Sequence, residues 1–243
     1  MGRRQLLKAD REALSAAELR GIPRNGFHEP RSLLKENLAA QLREEILAGK
    51  IAPGEKIIEG RWARHFGVAQ VSVREAINIL TTEGFVTKGH GRSARVLKLR
   101  DSDIIHIYLI RGALEGLAAR LVTERKLPLY DLEAALAGLR EAVGANDIRK
   151  TIDRVQHFHI RLLEKPGNPF LLEYGRKLVV PLYAFTLMCA LAKDLDSSPW
   201  GVQLANHERI LEAIRLGDPG LAEQTVIHIT SLFLQSALKV WAP

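Results

Sequence analysis

Cysteine is almost missing: Cys189 is the only one in 243 residues. That excludes a disulfide framework and any metal site built from several thiolates of one chain, and it suits a reducing, cytoplasmic setting. No apolar stretch approaches the length of a membrane span. The start, Met1-Gly2-Arg3-Arg4-Gln5, leads into charged residues instead of the apolar run of a signal peptide, so neither membrane insertion nor export is expected. Internal repeats and low-complexity tracts are absent. So are a phosphate-cradling loop, a nucleophile beside a base and a carboxylate pair. The histidines alone would still permit a metal-dependent helical enzyme with a basic, nucleic-acid-binding extension.

Apolar residues make up 47% of the chain, enough for the cores of two modest domains. Charge is uneven. Residues 1–100 hold 19 Lys and Arg against 11 Asp and Glu, whereas residues 101–243 hold 16 against 17. A basic first part on a near-neutral body points to a polyanion as partner of that part alone, because cations near phosphates release condensed counterions. A merely solvated basic surface would show the same charge.

Residues 1–31 mix charged residues with Gly21, Pro23, Gly26 and Pro30 and read as a flexible N-terminal extension. From Ser32, a residue type suited to an N-cap, Leu34, Leu38, Leu42 and Ile46 recur every four residues up to Gly49, which predicts an amphipathic helix. Ala52-Pro53-Gly54 is a turn. Glu59 to Phe66 is a short helix broken by Gly67, and a second starts near Gln70 with Val73, Ile77 and Leu80 on one face. After Gly84, Phe85-Val86-Thr87 and Ala94-Arg95-Val96-Leu97 form a hairpin around the basic, glycine-rich tip Lys88 to Ser93. Beyond Asp101 helical spacing takes over, with breaks at Pro128, Gly144, Gly167-Asn168-Pro169, Ser198-Pro199 and Gly217-Asp218-Pro219-Gly220. The predicted fold is mainly α: a winged helix-turn-helix over 32–99, a linker at 100–104, and an all-helical bundle of six to seven helices over 105–243.

Such a module lays its second helix in the major groove of double-stranded DNA and its wing along the backbone or minor groove. Ala69, Gln70, Val71 and Ser72 stand at the start of that helix, with Gln70 suited to adenine. Arg74 is in reach of phosphate or guanine. Arg64, Lys88, His90 and Arg92 would add phosphate contacts, while Gly89 and Gly91 let the wing backbone approach closely. A winged helix used only for protein contacts, or a general architectural binder, remain alternatives. The landmarks Ile46-Leu47-Ala48-Gly49-Lys50-Ile51, Pro53-Gly54, Gly67-Val68, Val73-Arg74-Glu75-Ala76, Glu83-Gly84-Phe85-Val86 and Gly89-His90-Gly91 appear in order. The run from Leu34 to Val96 resembles the DNA-binding domain of the GntR family. That family's turn usually reads Gly-Val-Ser-Arg-Thr-Pro-Val-Arg, whereas Ala69-Gln70-Val71-Ser72 stands in the middle of it here. An unusual operator or weaker binding is therefore expected.

The second part resembles the FCD-type effector domain of the FadR branch of that family. The resemblance rests on Arg111-Gly112-Ala113-Leu114-Glu115, Phe158-His159 with Gly167-Asn168-Pro169, and His207 to Ile214 with Gly217-Asp218. It implies a homodimeric, effector-responsive regulator, a repressor, bound to a near-palindromic operator. It also implies a divalent metal of the zinc or nickel class on one aspartate and three histidines, with an organic acid completing the coordination. His159 and His207 match two of the histidines. The aspartate position is Val155, Asp153 lies off its face, and the last histidine falls at Ile229 with His228 one residue early. A metal site on His159, His207 and His228 and a metal-free pocket with hydrogen-bonded histidines both stay open. Arg111 is a candidate to grip an acidic effector with two parallel hydrogen bonds, or to pair locally with Glu115.

Overall fold

In the computed structural model, residues 31–88, 93–193, 195 and 200–241 are described. The expectation of a flexible extension therefore lies almost wholly outside the described residues, and so does the break at Ser198-Pro199. Arg31 itself already belongs to the first helix, α1 (Arg31–Leu47). Its Leu38, Leu42 and Ile46 are buried, and each such side chain removed from water contributes about 1.5–3 kcal/mol.

The strand β1 (Lys56–Ile57) follows, then the helices α2 (Glu59–Phe66) and α3 (Gln70–Thr82). Gly67 joins the two helices in the left-handed conformation, φ 66°, which a residue with a Cβ rarely adopts. The strands β2 (Val86–Lys88) and β3 (Ala94–Val96) complete an antiparallel sheet of order β1-β3-β2. Lys56 pairs with Arg95, and Val86 with Val96. Two strands were expected; β1, only two residues long, carries too little pattern to be read.

The second half consists of α4 (Asp101–Glu124), α5 (Tyr130–Gly144), α6 (Ile148–Glu164), α7 (Pro169–Ala192), α8 (Trp200–Arg215) and α9 (Pro219–Trp241). The linker expected at 100–104 is a correction. Asp103 accepts from the Arg100 backbone N–H at 2.9 Å and from its guanidinium at 2.9 and 3.0 Å, which starts α4 at Asp101. Pro128, Gly144, Gly167 and Gly217 fall between or at the ends of these helices, as read from the sequence. α4 packs lengthwise on α9, where added Cβ atoms at Gly112 and Gly116 would meet Thr230 and Ile227. α7 also corrects the expectation about apolar stretches: its 24 residues are long and apolar enough to cross a membrane, but half of that window is buried inside the protein. Its neighbours there are α6 and α4.

Candidate functional site

At the start of α3, Ala69, Gln70, Val71 and Arg74 are exposed and Ser72 is half-buried, while Val73, Ala76, Ile77 and Leu80 face the core. The helical period thus separates one polar edge from one apolar face. Arg64 on α2 and Lys88 at the end of β2 are exposed as well. Sequence reasoning missed Glu59, which organises this edge. It accepts from Arg74 Nη2 at 2.8 Å, from Arg74 Nε at 3.1 Å and from Gln70 Nε2 at 3.0 Å. These bonds, Arg74's first, hold the Glu59 carboxyl below its usual range. Lys88 donates to Asn78 Oδ1. Gly89, His90, Gly91 and Arg92, the expected wing tip, lie outside the described residues.

The structure brings Arg111, His159 and His207 together inside the helical domain, and all three are fully buried. Arg111 projects from α4, one turn before the equally buried Glu115. Its Nε donates to Glu115 Oε1 at 2.5 Å and its Nη2 approaches Oε2 at 3.4 Å. The guanidinium lies over the rings of Tyr108 and Tyr183, 5.0 and 5.4 Å from their centres. Arg111 Nη2 is 3.0 Å from His159 Nε2, which in turn is 3.1 Å from His207 Nε2. His207 Nδ1 lies 2.6 Å from the Gln203 carbonyl one turn earlier. His159 Nδ1 is 2.9 Å from Glu115 Oε2, without the alignment of a hydrogen bond. Among the described residues Arg111 Nη1 meets no acceptor in good hydrogen-bond geometry.

Burial opposes every charge in this cluster, but the Glu115 carboxylate outweighs it for Arg111, and Arg111 in turn outweighs it for Glu115, so both stay ionised. For the imidazoles burial wins. It lowers His159, and together with the neighbouring His159 it takes His207 down to about 3, leaving neutral rings.

Two imidazole nitrogens 3.1 Å apart are spaced as neighbouring ligands of a first-row ion would be. The rest of the donor set does not fit. Val155 and Ile229, at the positions where the resemblance implies an aspartate and a histidine, are buried and apolar. His228 is exposed, and so is Asp153. The expectation of His228 as a ligand is therefore corrected: one residue of offset turns a side chain about 100° around a helix. Among the described residues no group of three His, Cys, Asp or Glu side chains can hold an ion.

The cluster has a path toward the DNA-binding half. Tyr183 stacks on His159, with ring centres 5.8 Å apart, and also lines a cleft of about 420 Å³ between the two halves, together with Arg43, Glu83, Phe85 and Arg149. Two residues before it, Pro181 interrupts α7. Gly84, just past the end of α3 with φ +80°, sits so close that an added Cβ would fall 2.8 Å from Pro181 Cα. Arg149 of α6 bonds Glu44 of α1 at 2.8 Å.

A winged helix with an exposed second-helix edge, joined to a helical bundle around a buried charged cluster, defines a DNA-binding protein that carries its own sensory domain. Residues 34–96 match the model of bacterial regulatory proteins of the gntR family, and residues 106–231 match the FCD domain. The chain belongs to the GntR family of transcriptional regulators, with an FCD effector-binding domain. It is 26% identical over 83% of its length to the probable D-xylose utilization operon transcriptional repressor of Paenarthrobacter nicotinovorans, covering 89% of that protein. It is 26% identical over 78% of its length to the gluconate operon transcriptional repressor of Bacillus subtilis, of which 79% is covered. Its fold is similar to that of a GntR transcriptional regulator from Rhodococcus sp. RHA1, with a TM-score of 0.65 at 21% identity over 84% of this chain and 97% of that one. The structure titled E. coli McbR/YncC gives 0.63 at 21% identity over 86% and 97%. This family is one of regulators, which sets aside the metal-dependent enzyme.

Proposed function

We propose that this protein is a cytoplasmic, homodimeric repressor whose operator affinity changes when a small carboxylate binds at Arg111, His159 and His207. The observation that carries the reading is the buried Arg111. An ion pair deep in a core is rarely the most stable filling of that space, and this one keeps a donor unpaired. A carboxylate is its natural complement, because a guanidinium meets one with parallel hydrogen bonds. The names of the relatives point to a neutral sugar, D-xylose, and to an acid, gluconate; the Arg111 guanidinium favours the acid.

On DNA, Gln70 reads a base edge and Arg74 a guanine or a phosphate, once both exchange Glu59 for the duplex. Ala69, Val71 and Ser72 keep the helix end small enough to enter the groove. Arg64 and Lys88 hold phosphates, joined by the wing residues Gly89, His90, Gly91 and Arg92. A near-palindromic operator calls for two modules about 34 Å apart, related by a two-fold axis. The second copy docks on α4, where Leu109 (64% exposed), Ile110, Ala113 and Leu117 form an apolar stripe open to solvent.

Binding of the acid moves Tyr183, α7 at Pro181 and hence Gly84 at the end of the recognition helix. The ligand shifts DNA affinity only through its preference for one domain arrangement, a coupling of about 1–3 kcal/mol. The test is fluorescence anisotropy with a duplex enriched by selection from a random pool, titrated with salt and with a panel of acids. Salt-sensitive, sequence-selective binding that weakens with an acid supports the reading. Binding that no acid alters contradicts it.

A further inference from the structure

Resting on the reading of the α3 edge as the surface that meets DNA, we propose that Glu59 of α2 is itself a base-reading residue. It accepts from the exocyclic amine of a cytosine, and in doing so ties the release of Arg74 to the sequence beneath it.

The carboxylate stands among the side chains that read. Its oxygens lie 2.8 and 3.1 Å from Arg74 Nη2 and Nε and 3.0 Å from Gln70 Nε2, one hydrogen bond from both tips. The Glu59 side chain is 24% exposed, so it is open to whatever covers that edge. Ala69, Val71 and Ser72 beside it carry no charge. Arg74 before any other group holds the Glu59 carboxyl below its usual range, so at neutral pH the side chain is ionised and can only accept.

An acceptor in the major groove sorts the four bases by their edges. Guanine offers N7 and O6, thymine offers O4, and adenine sets N7 beside its amine, so each of the three turns lone pairs toward a carboxylate. Cytosine shows an amine alone. When Arg74 and Gln70 turn to the duplex, Glu59 gives up three donated hydrogens at once, and a carboxylate covered by DNA without a donor bears its full desolvation cost. Lys88 does not take their place: its ammonium is bonded to Asn78 Oδ1 and acts on Glu59 only through its charge. Over a cytosine the amine replaces the lost donors and Arg74 is free to bind. Over any other base Glu59 keeps Arg74, and the guanidinium is withheld from the DNA. Glu59 thus selects as much by refusing wrong sequences as by favouring the right one.

The full-length native chain, Glu59→Ala, Arg74→Ala and the double variant, each shown folded by a thermal melt, are compared by fluorescence anisotropy. The duplexes are the operator selected by the native chain, its single base-pair substitutions and unrelated DNA. For the native chain one cytosine of the operator should be required, with every other base there weakening binding about fivefold or more. Glu59→Ala should be indifferent at that position. It should also bind unrelated DNA more tightly, with a salt slope steeper by about one, because Arg74 is free for a phosphate. The cytosine preference should persist in Arg74→Ala and vanish in the double variant. Base preferences that Glu59→Ala leaves intact at every position overturn the proposal. A cytosine preference already lost in Arg74→Ala overturns it too, since Glu59 would then act only by positioning Arg74. Sequence-independent binding by the native chain, or none, overturns the reading of the α3 edge together with this one.

Discussion

Arg74 and Arg111 each grip one glutamate through two nitrogens, but the Arg74 side chain is 56% exposed at the edge of the recognition helix, whereas Arg111 and Glu115 are sealed from solvent. The exposed pair is exchangeable. Water screens it, it adds little to stability, and a phosphate or a base edge could replace Glu59 at small cost. The buried pair cannot be traded for water. Removing one partner strands the other's charge in the core. In the proposed function one half of the molecule presents its arginine to the DNA, and the other holds its arginine in a fixed frame for the effector.

The sharpest way to break this comparison is to remove each glutamate. Glu115→Ala should cost about 3–5 kcal/mol in chemical denaturation, because Arg111 is left unpaired in the core, whereas Glu59→Ala should leave the unfolding midpoint almost where it was. A smaller loss, about 1–3 kcal/mol, is expected for Gly84→Ala, from backbone strain at φ +80° and overlap with Pro181. The same variant should bind DNA with a weakened response to acid, read by anisotropy.

The pH dependence separates the two halves as well. His207 titrates near 6.5 when unfolded and near 3 when folded, for burial disfavours its charge. Below 6.5 the unfolded chain therefore binds more protons than the folded one. Stability present above that pH is lost progressively as pH falls toward 3. Urea titrations between pH 7 and 4 should show this decline in the native chain and a shallower one in His207→Phe. Arg74→Ala should leave the melting temperature unchanged and weaken operator binding about tenfold, with relaxed base preference. The smallest effect belongs to Arg64→Ala and Lys88→Ala, each lowering the slope of log affinity against log salt by about one.

How much of this was readable beforehand differs between the halves for a physical reason. The helix at Glu59–Phe66, the stop at Gly67 and the breaks between the later helices are local events, set by spacing and by residues that tolerate left-handed backbone. All of them were legible. Glu59 was not, because it meets Gln70 and Arg74 from 11 and 15 residues away across a turn. The pairing of Gly84 with Pro181 depends on packing between distant segments, which no local pattern encodes. The joining of His159 to His207 was anticipated only through the family resemblance. His228 misled because a single residue decides which face of α9 a side chain takes. The linker at 100–104 misled because the Arg100–Asp103 pair makes a helix start out of a stretch that otherwise reads as a hinge.

In the proposed function the buried arginine governs the exposed one. Operator affinity, measured by anisotropy with and without saturating acid, should be compared between the native chain and the charge-free double variant Arg111→Met, Glu115→Leu, which leaves no orphan charge. The account predicts that both bind DNA equally well without acid and that only the native chain changes affinity, about five- to 150-fold, when acid is added. An unchanged native chain, or a double variant that still responds, would contradict it.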